Sequence, residues 1–230
     1  MTVGAISQQL RVAGRRLRRS WVVIAIAAVC VILAAGGDTW RDLGRYDRTA
    51  LAMGEYWRLV SGHLVHFGWG HLWPNVAALL VIGLLFERTF RTGDWVRSAL
   101  ASAAAIDAGL WWIDTQLEWY VGLSGVLHGL VAAGAFELLL RRPSLFRRPF
   151  LLRRLLLLRR PRLMRRHVVG AALALGLAAK LGYEQTFGPV SLTAGAVGGP
   201  VAVAAHLYGA AGGLVMAAIV RSIRQRRSRV

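Results

Sequence analysis

Apolar runs close to the length of a membrane-crossing helix, most of them flanked by arginines, constrain this chain more than any other feature. A helix needs about 20 residues to cross the hydrocarbon core, so several such runs commit a chain to lipid. Six candidate spans lie near residues 20–36, 70–87, 95–113, 119–140, 167–183 and 199–220. The composition agrees, at 56% hydrophobic and a mean hydropathy of +0.47. The expected fold is an all-α polytopic membrane protein, a bundle of six transmembrane helices.

The formal charge of +18 would point to nucleic acid in a soluble protein. Here the basic residues fall in short segments beside the apolar runs, the pattern of positive-inside topology and contact with anionic lipid. Membrane lipid is therefore an expected partner and nucleic acid is not. Arg11, Arg15, Arg16, Arg18 and Arg19 precede the first span; Arg88, Arg91 and Arg97 follow the second; eleven arginines occupy 141–166; Arg221, Arg224, Arg226, Arg227 and Arg229 follow the sixth. The opposite loops hold Arg41, Arg45, Arg48 and Arg58, outnumbered by Asp38, Asp42, Asp47, Glu55, Asp114, Glu118 and Glu184. Both termini are expected in the cytoplasm. The organisation is then a basic tail (1–19), a membrane domain (20–220) with an Arg-rich cytoplasmic loop (141–167), and a second basic tail (221–230), with no soluble domain.

Four smaller readings accompany this layout. Ala34-Ala35-Gly36 makes a weak cleavage site, so the first span is expected to remain as an uncleaved helix. Paired arginines and leucines in the 141–167 loop suggest an amphipathic segment on the inner leaflet. Cys30 is alone and forms no internal disulfide. Residues 37–69 carry Trp40, Tyr46, Tyr56, Trp57, Phe67 and Trp69, aromatics suited to the membrane interface.

With the N-terminus inside, spans two, four and six all run inward from the outer face. His71 and Asn75 open span two, Ser124 lies a few residues into span four, and His206 a few into span six. At a rise of ~1.5 Å per residue, Ser124 and His206 lie roughly 7–11 Å below the outer surface. Polar side chains at membrane depth are costly and mark function. A serine hydroxyl is a weak nucleophile that needs a base, and His206 supplies a neutral imidazole. Acyl transfer also builds negative charge that placed donors must meet. The Asn75 amide, the His71 ring N–H and the backbone N–H of Ser124 are candidates, His71 and Asn75 sharing a helix face by their spacing of four. No carboxylate on these three spans suggests itself as a third member, so a Ser/His dyad is the economical reading. Gly125 with Gly129, and Gly209 with Gly213, form small-xxx-small pairs that let two helices touch.

Trp57-Arg58, His66-Phe67 and His71-Leu72-Trp73-Pro74-Asn75 resemble the Trp-Arg loop and HxxxN helix of rhomboid intramembrane serine proteases. Gly122-Leu123-Ser124-Gly125 resembles their GxSG, and Ala205-His206-Leu207-Tyr208-Gly209 with Gly213 their AHxxGxxxG. Val126 rules out the wider G-x-S-x-G elbow. The resemblance implies a rhomboid-like bundle in which Ser124 is nucleophile, His206 general base, and His71 and Asn75 oxyanion donors. Gly122 and His128 are assigned supporting places, His128 packed against the catalytic histidine. The longer string Gly122-Leu-Ser-Gly-Val-Leu-His128-Gly129 is similar to the rhombosortase branch. That branch implies a bacterial inner-membrane enzyme facing the periplasm, without a cofactor, acting on transmembrane substrates with a C-terminal membrane anchor of GlyGly-CTERM type. The alternative is a catalytically inactive rhomboid-like protein that binds or escorts membrane proteins.

Other residues have plainer readings. His128 is a rival base, but its spacing to Ser124 is fixed by one helix, whereas His206 can approach from across. His63, His66 and His71 lack an H-E-x-x-H pattern and an acidic ligand on their helix, so no metal is expected. Lys180 can snorkel outward, and His167 sits among solvated arginines. Asp107 is expected to bond within the bundle and has no assigned role. A transporter would spread polar groups through the membrane; the four chosen here cluster in its outer third.

Overall fold

The computed structural model describes residues 21–140, 161–190 and 201–228. Helix α1 (Trp21–Ala35) ends at Gly36, where the chain bends by 118° into α2 (Gly37–Gly44). Gly37 takes φ +62 at this corner, a left-handed conformation that glycine adopts without steric cost. The outer segment continues through strand β1 (Tyr46–Asp47) and the short helices α3 (Arg48–Ala52) and α4 (Arg58–Ser61). Helices α5 (Trp69–Phe86) and α6 (Thr92–Trp112), strand β2 (Trp119–Tyr120), and helices α7 (Ser124–Leu140), α8 (Pro161–Phe187) and α9 (Val203–Arg227) follow.

Helices thus occupy all six apolar regions. By length and composition, α5 and α9 are each able to cross a membrane, and the bent pair α1–α2 passes the same test as a unit. Helix α7 is apolar but shorter, at 17 residues.

Three boundaries differ from expectation. Residues 119–120 are not the start of α7 but a strand, paired antiparallel with β1 in the register Tyr46↔Tyr120 and Asp47↔Trp119. Gly122, at φ +117, then turns the chain into a helix that begins at Ser124. Helix α8 extends to both sides of 167–183; at its outer end the Lys180–Glu184 pair and a hydrogen bond from the Thr186 hydroxyl to Gly182 O carry it through the last turn. Helix α9 continues through Arg221 to Arg227, so most of the basic C-terminal segment belongs to a helix. The first 19 residues, and residues 141–160 of the amphipathic reading at 141–167, lie outside the described residues.

The bundle closes around α7, which packs against α5, α6, α8 and α9. Leu72, Leu79, Ile106, Leu110 and Leu130 are fully buried in its core. The tightest seam joins α7 to α9. A Cβ built on Gly209 would overlap the carbonyl of Gly125, and one on Gly213 the backbone of Gly129. Gly129 in turn faces Gly209 O and the Ser102 hydroxyl, and a Cβ on Gly125 would stand 2.8 Å from Ala205 O. The four glycines expected to pack two helices are therefore reciprocal, each pair accepting the other's backbone.

Polar clamps hold the helix ends. Asp94, at the start of α6, accepts hydrogen bonds from Arg224 at 2.6 Å, Arg97 at 3.0 Å and the Arg91 amide at 2.9 Å. At the other end of α6, the Arg48 guanidinium donates to the carbonyls of Leu110, Trp111 and Asp114, satisfying groups that a helix terminus leaves open. Replacing Gly213 with valine forces the α7–α9 seam apart. We expect Gly213→Val to cost about 3 kcal/mol or more, at or beyond the upper range of core overpacking, seen as a large fall in the thermal midpoint of the detergent-solubilised protein. An unchanged midpoint would show that this seam does not hold the fold.

Candidate active site

Ser124 is the first residue of α7, and its position is set from outside the helix. The Gly122 amide donates to Gly62 O at 2.9 Å, and the Tyr120 hydroxyl donates to Gly122 O at 2.6 Å. The β1–β2 pair and the α4 segment therefore fix the turn that presents the serine. As the opening residue of a helix, Ser124 carries a backbone N–H without an intrahelical acceptor. Across the glycine seam, His206 lies in the first turn of α9 and is buried.

The two side chains meet. Ser124 Oγ lies 2.9 Å from His206 Nε2. The Nδ1 of the same ring lies 2.8 Å from Oε2 of Glu184, near the end of α8. Glu184 is 1% exposed, and its other oxygen accepts from Lys180 Nζ at 2.6 Å. A carboxylate held by an ammonium can only accept, so Nδ1 carries the hydrogen and Nε2 presents its lone pair to the serine hydroxyl.

His128 lies against His206. Its ring stacks on His206 with centroids 4.1 Å apart and planes 15° from parallel, and its Nδ1 donates to Ser124 O at 2.7 Å. The rival assignment of His128 as base is not what this geometry favours, because the Ser124 hydroxyl pairs with His206 and the located His128 bond goes to a backbone carbonyl.

His71 and Asn75 line the same cavity of about 490 Å³ as Ser124, His128, Lys180 and His206. Asn75 Nδ2 donates to His71 O at 2.8 Å, which engages one of the two N–H bonds of the amide. The His71 ring lies over Gly122: a Cβ there would come within 2.6 Å of His71 Cε1. Phe67 stacks on the His71 ring at a centroid distance of 5.5 Å, and His66 meets the same ring edge-on at 4.9 Å. The structure thus brings Ser124, His206, His71, Asn75 and His128 to one cavity, with Gly122 beneath the His71 ring and the four glycines in the adjoining seam.

Glu184 was not among them. In the sequence it counts only as one of the outer-face acids that balance the arginines. Its spacing of four from Lys180 at the outer end of span five was the available signal, since that places both on one helix face near the depth of the serine. Asp107, without a role from sequence, accepts from His63 Nε2 at 3.1 Å, joining α6 to the outer segment.

Ligand atoms of His128, Glu184 and His206 lie within 4.8 Å of one another, the one such group among the described residues. Near-parallel stacked rings direct their in-plane lone pairs along separate planes, and both His206 nitrogens already have partners. The set fits a supported base better than a metal centre. His63, turned to Asp107, does not join His66 and His71 in a ligand set.

Residues 53–223, more than half of the chain, match the Rhomboid domain family. The chain belongs to the rhomboid family. It is 35% identical over 112 residues to RHOMBOID-like protein 5 of Arabidopsis thaliana, covering 47% of this chain and 36% of that protein. It is 25% identical over 126 residues to the rhomboid protease GluP of Bacillus subtilis, covering 53% of this chain and 24% of the relative. These matches therefore span well under half of either relative's length.

Gly122 tests how the site is supported. An alanine there meets both a positive φ and the His71 ring, costing about 1–3 kcal/mol of backbone strain. Gly122→Ala should lower the rate of Ser124 labelling by a fluorophosphonate at least tenfold while the protein remains monodisperse. Labelling at the wild-type rate would show that the turn does not position the serine.

Proposed function

We propose that this chain is an intramembrane serine endopeptidase that cleaves membrane-anchored proteins near the outer, periplasmic face. The observation that carries the reading is the 2.9 Å contact between Ser124 Oγ and His206 Nε2 at an apolar cavity. Membership of the rhomboid family, with a relative named as a rhomboid protease, supports it.

In the proposed mechanism His206 Nε2 takes the hydroxyl proton as Ser124 Oγ attacks the peptide carbonyl carbon. The carbonyl electron pair moves onto oxygen, where His71, Asn75 and the Ser124 amide are the available donors. The Nε2–H then protonates the leaving nitrogen, the C–N bond breaks and an acyl-enzyme remains. Water, deprotonated by His206, releases the acid and regenerates the serine. A substrate helix must first unwind, because regular helix holds its carbonyls in hydrogen bonds.

The substrates we propose are proteins with a C-terminal anchor of GlyGly-CTERM type, and the enzyme a rhombosortase of the bacterial inner membrane with both termini in the cytoplasm. The string from Gly122 to Gly129, including His128, supports that branch. Glycine disfavours helix by ~1 kcal/mol per residue relative to alanine, so a Gly-Gly pair eases local unwinding at the cleavage point.

Fluorophosphonate labelling is expected in the wild type, abolished in Ser124→Ala, and slowed at least about 10³-fold in His206→Ala. His128→Ala should retain labelling at a reduced rate; the reverse order of the two histidine variants would overturn the assignment of the base. Co-expression with a GlyGly-CTERM protein should remove its tail in the wild type only. A wild-type chain that neither labels nor cleaves would support the non-catalytic escort instead.

A further inference from the structure

We infer that Glu184 is a positioning residue that makes the site a Ser124–His206–Glu184 triad, with Lys180 as the counter-ion that sets how strongly the carboxylate acts. This inference rests on the serine-protease reading above. It goes beyond the two-residue site expected from the sequence.

The argument starts from burial. A carboxylate at 1% exposure is costly unless it is paired and hydrogen-bonded. Glu184 has a partner on each oxygen: Lys180 at 2.6 Å on Oε1 and His206 Nδ1 at 2.8 Å on Oε2. Lys180 alone would neutralise it, and at 34% side-chain exposure the ammonium could have followed its stem outward. Instead the pair is turned so that the second oxygen meets the face of α9 that carries the base.

Two consequences follow for proton transfer. The carboxylate fixes the tautomer and the ring orientation, keeping the Nε2 lone pair on the serine hydroxyl. It also opposes the positive charge that forms on the ring when Nε2 takes the proton, without itself accepting one, since the Nδ1–H bond stays intact. Lys180 works against this second effect by withdrawing charge from the carboxylate. Among the groups nearest His206, Asp107 on α6 pairs with His63 and Asp114, two residues beyond the end of α6, with Tyr208, while His128 on α7 and His71 on α5 face the same cavity.

The two residues therefore have opposite signatures in the pH dependence of Ser124 labelling by a fluorophosphonate, measured on the full chain in detergent. Glu184→Gln keeps an acceptor but removes the charge. The rate should fall between about 10²- and 10⁴-fold, the range for loss of a carboxylate behind a catalytic histidine. The acid limb should move to lower pH by roughly 0.5–1 unit, because the ring gives up its proton more readily. Glu184→Asp, which keeps the charge, should recover most of the limb position. Lys180→Met, at the cavity edge, should move the limb to higher pH. A purely structural role would lower the labelled fraction without moving either limb, and that result overturns the inference. So does Glu184→Gln labelling within about threefold of the wild type, or limbs that move in the same direction in Glu184→Gln and Lys180→Met. A wild type that never labels overturns the serine-hydrolase reading and this inference with it; a labelling wild type with unaffected Glu184 variants overturns this inference alone.

Discussion

The contact of bare backbone between α7 and α9 is the constraint on which the rest depends. Gly125 and Gly129 meet Gly209 and Gly213 so closely that a single methyl group on most of them would overlap the opposite helix. A serine and a histidine that are 82 residues apart in sequence come within 2.9 Å only because no side chain stands between their helices. In lipid, where burial of apolar surface does little to draw helices together, such close packing is a principal source of association. The same atoms thus hold the bundle together and set the distance across which a proton can move.

Around that seam the polar groups form a sequence of mutual commitments. Lys180 holds Glu184, Glu184 holds His206, His206 meets Ser124, and the Ser124 carbonyl accepts from His128, whose ring lies flat on His206. The arrangement closes on itself through two helices and one stacked pair. Polar groups in a low-dielectric interior are stabilising only when most of their partners are present. Such a cluster favours one geometry over many.

Much of this was legible in the residues. Serine, histidines, asparagine and the glycine pairs are conspicuous because each is out of place in an apolar run, and the direction expected for three spans puts them at one expected depth. What escaped did so for physical reasons. Two-residue strands have no periodicity, so the pairing of Tyr46 with Tyr120, and with it the true start of α7, left no pattern to read. Glu184 stood four residues from a lysine at the edge of a span, where a charge ordinarily serves solvation. Its meaning depends on a helix end that runs to Phe187 and on which way that end turns. Asp107 could be expected to find a partner, but the partner was His63, 44 residues away in a segment without regular repeat.

The strand pair and the bond from Gly122 to Gly62 tie the outer segment directly to the turn that carries the serine. Between the loop's backbone and Ser124 there are only two residues of covalent chain, Gly122 and Leu123. The loop and Ser124 are accordingly one heritable unit: an exchange of residues 37–68 with those of a relative transfers a mismatch to Ser124 unless residues 119–122 travel with them.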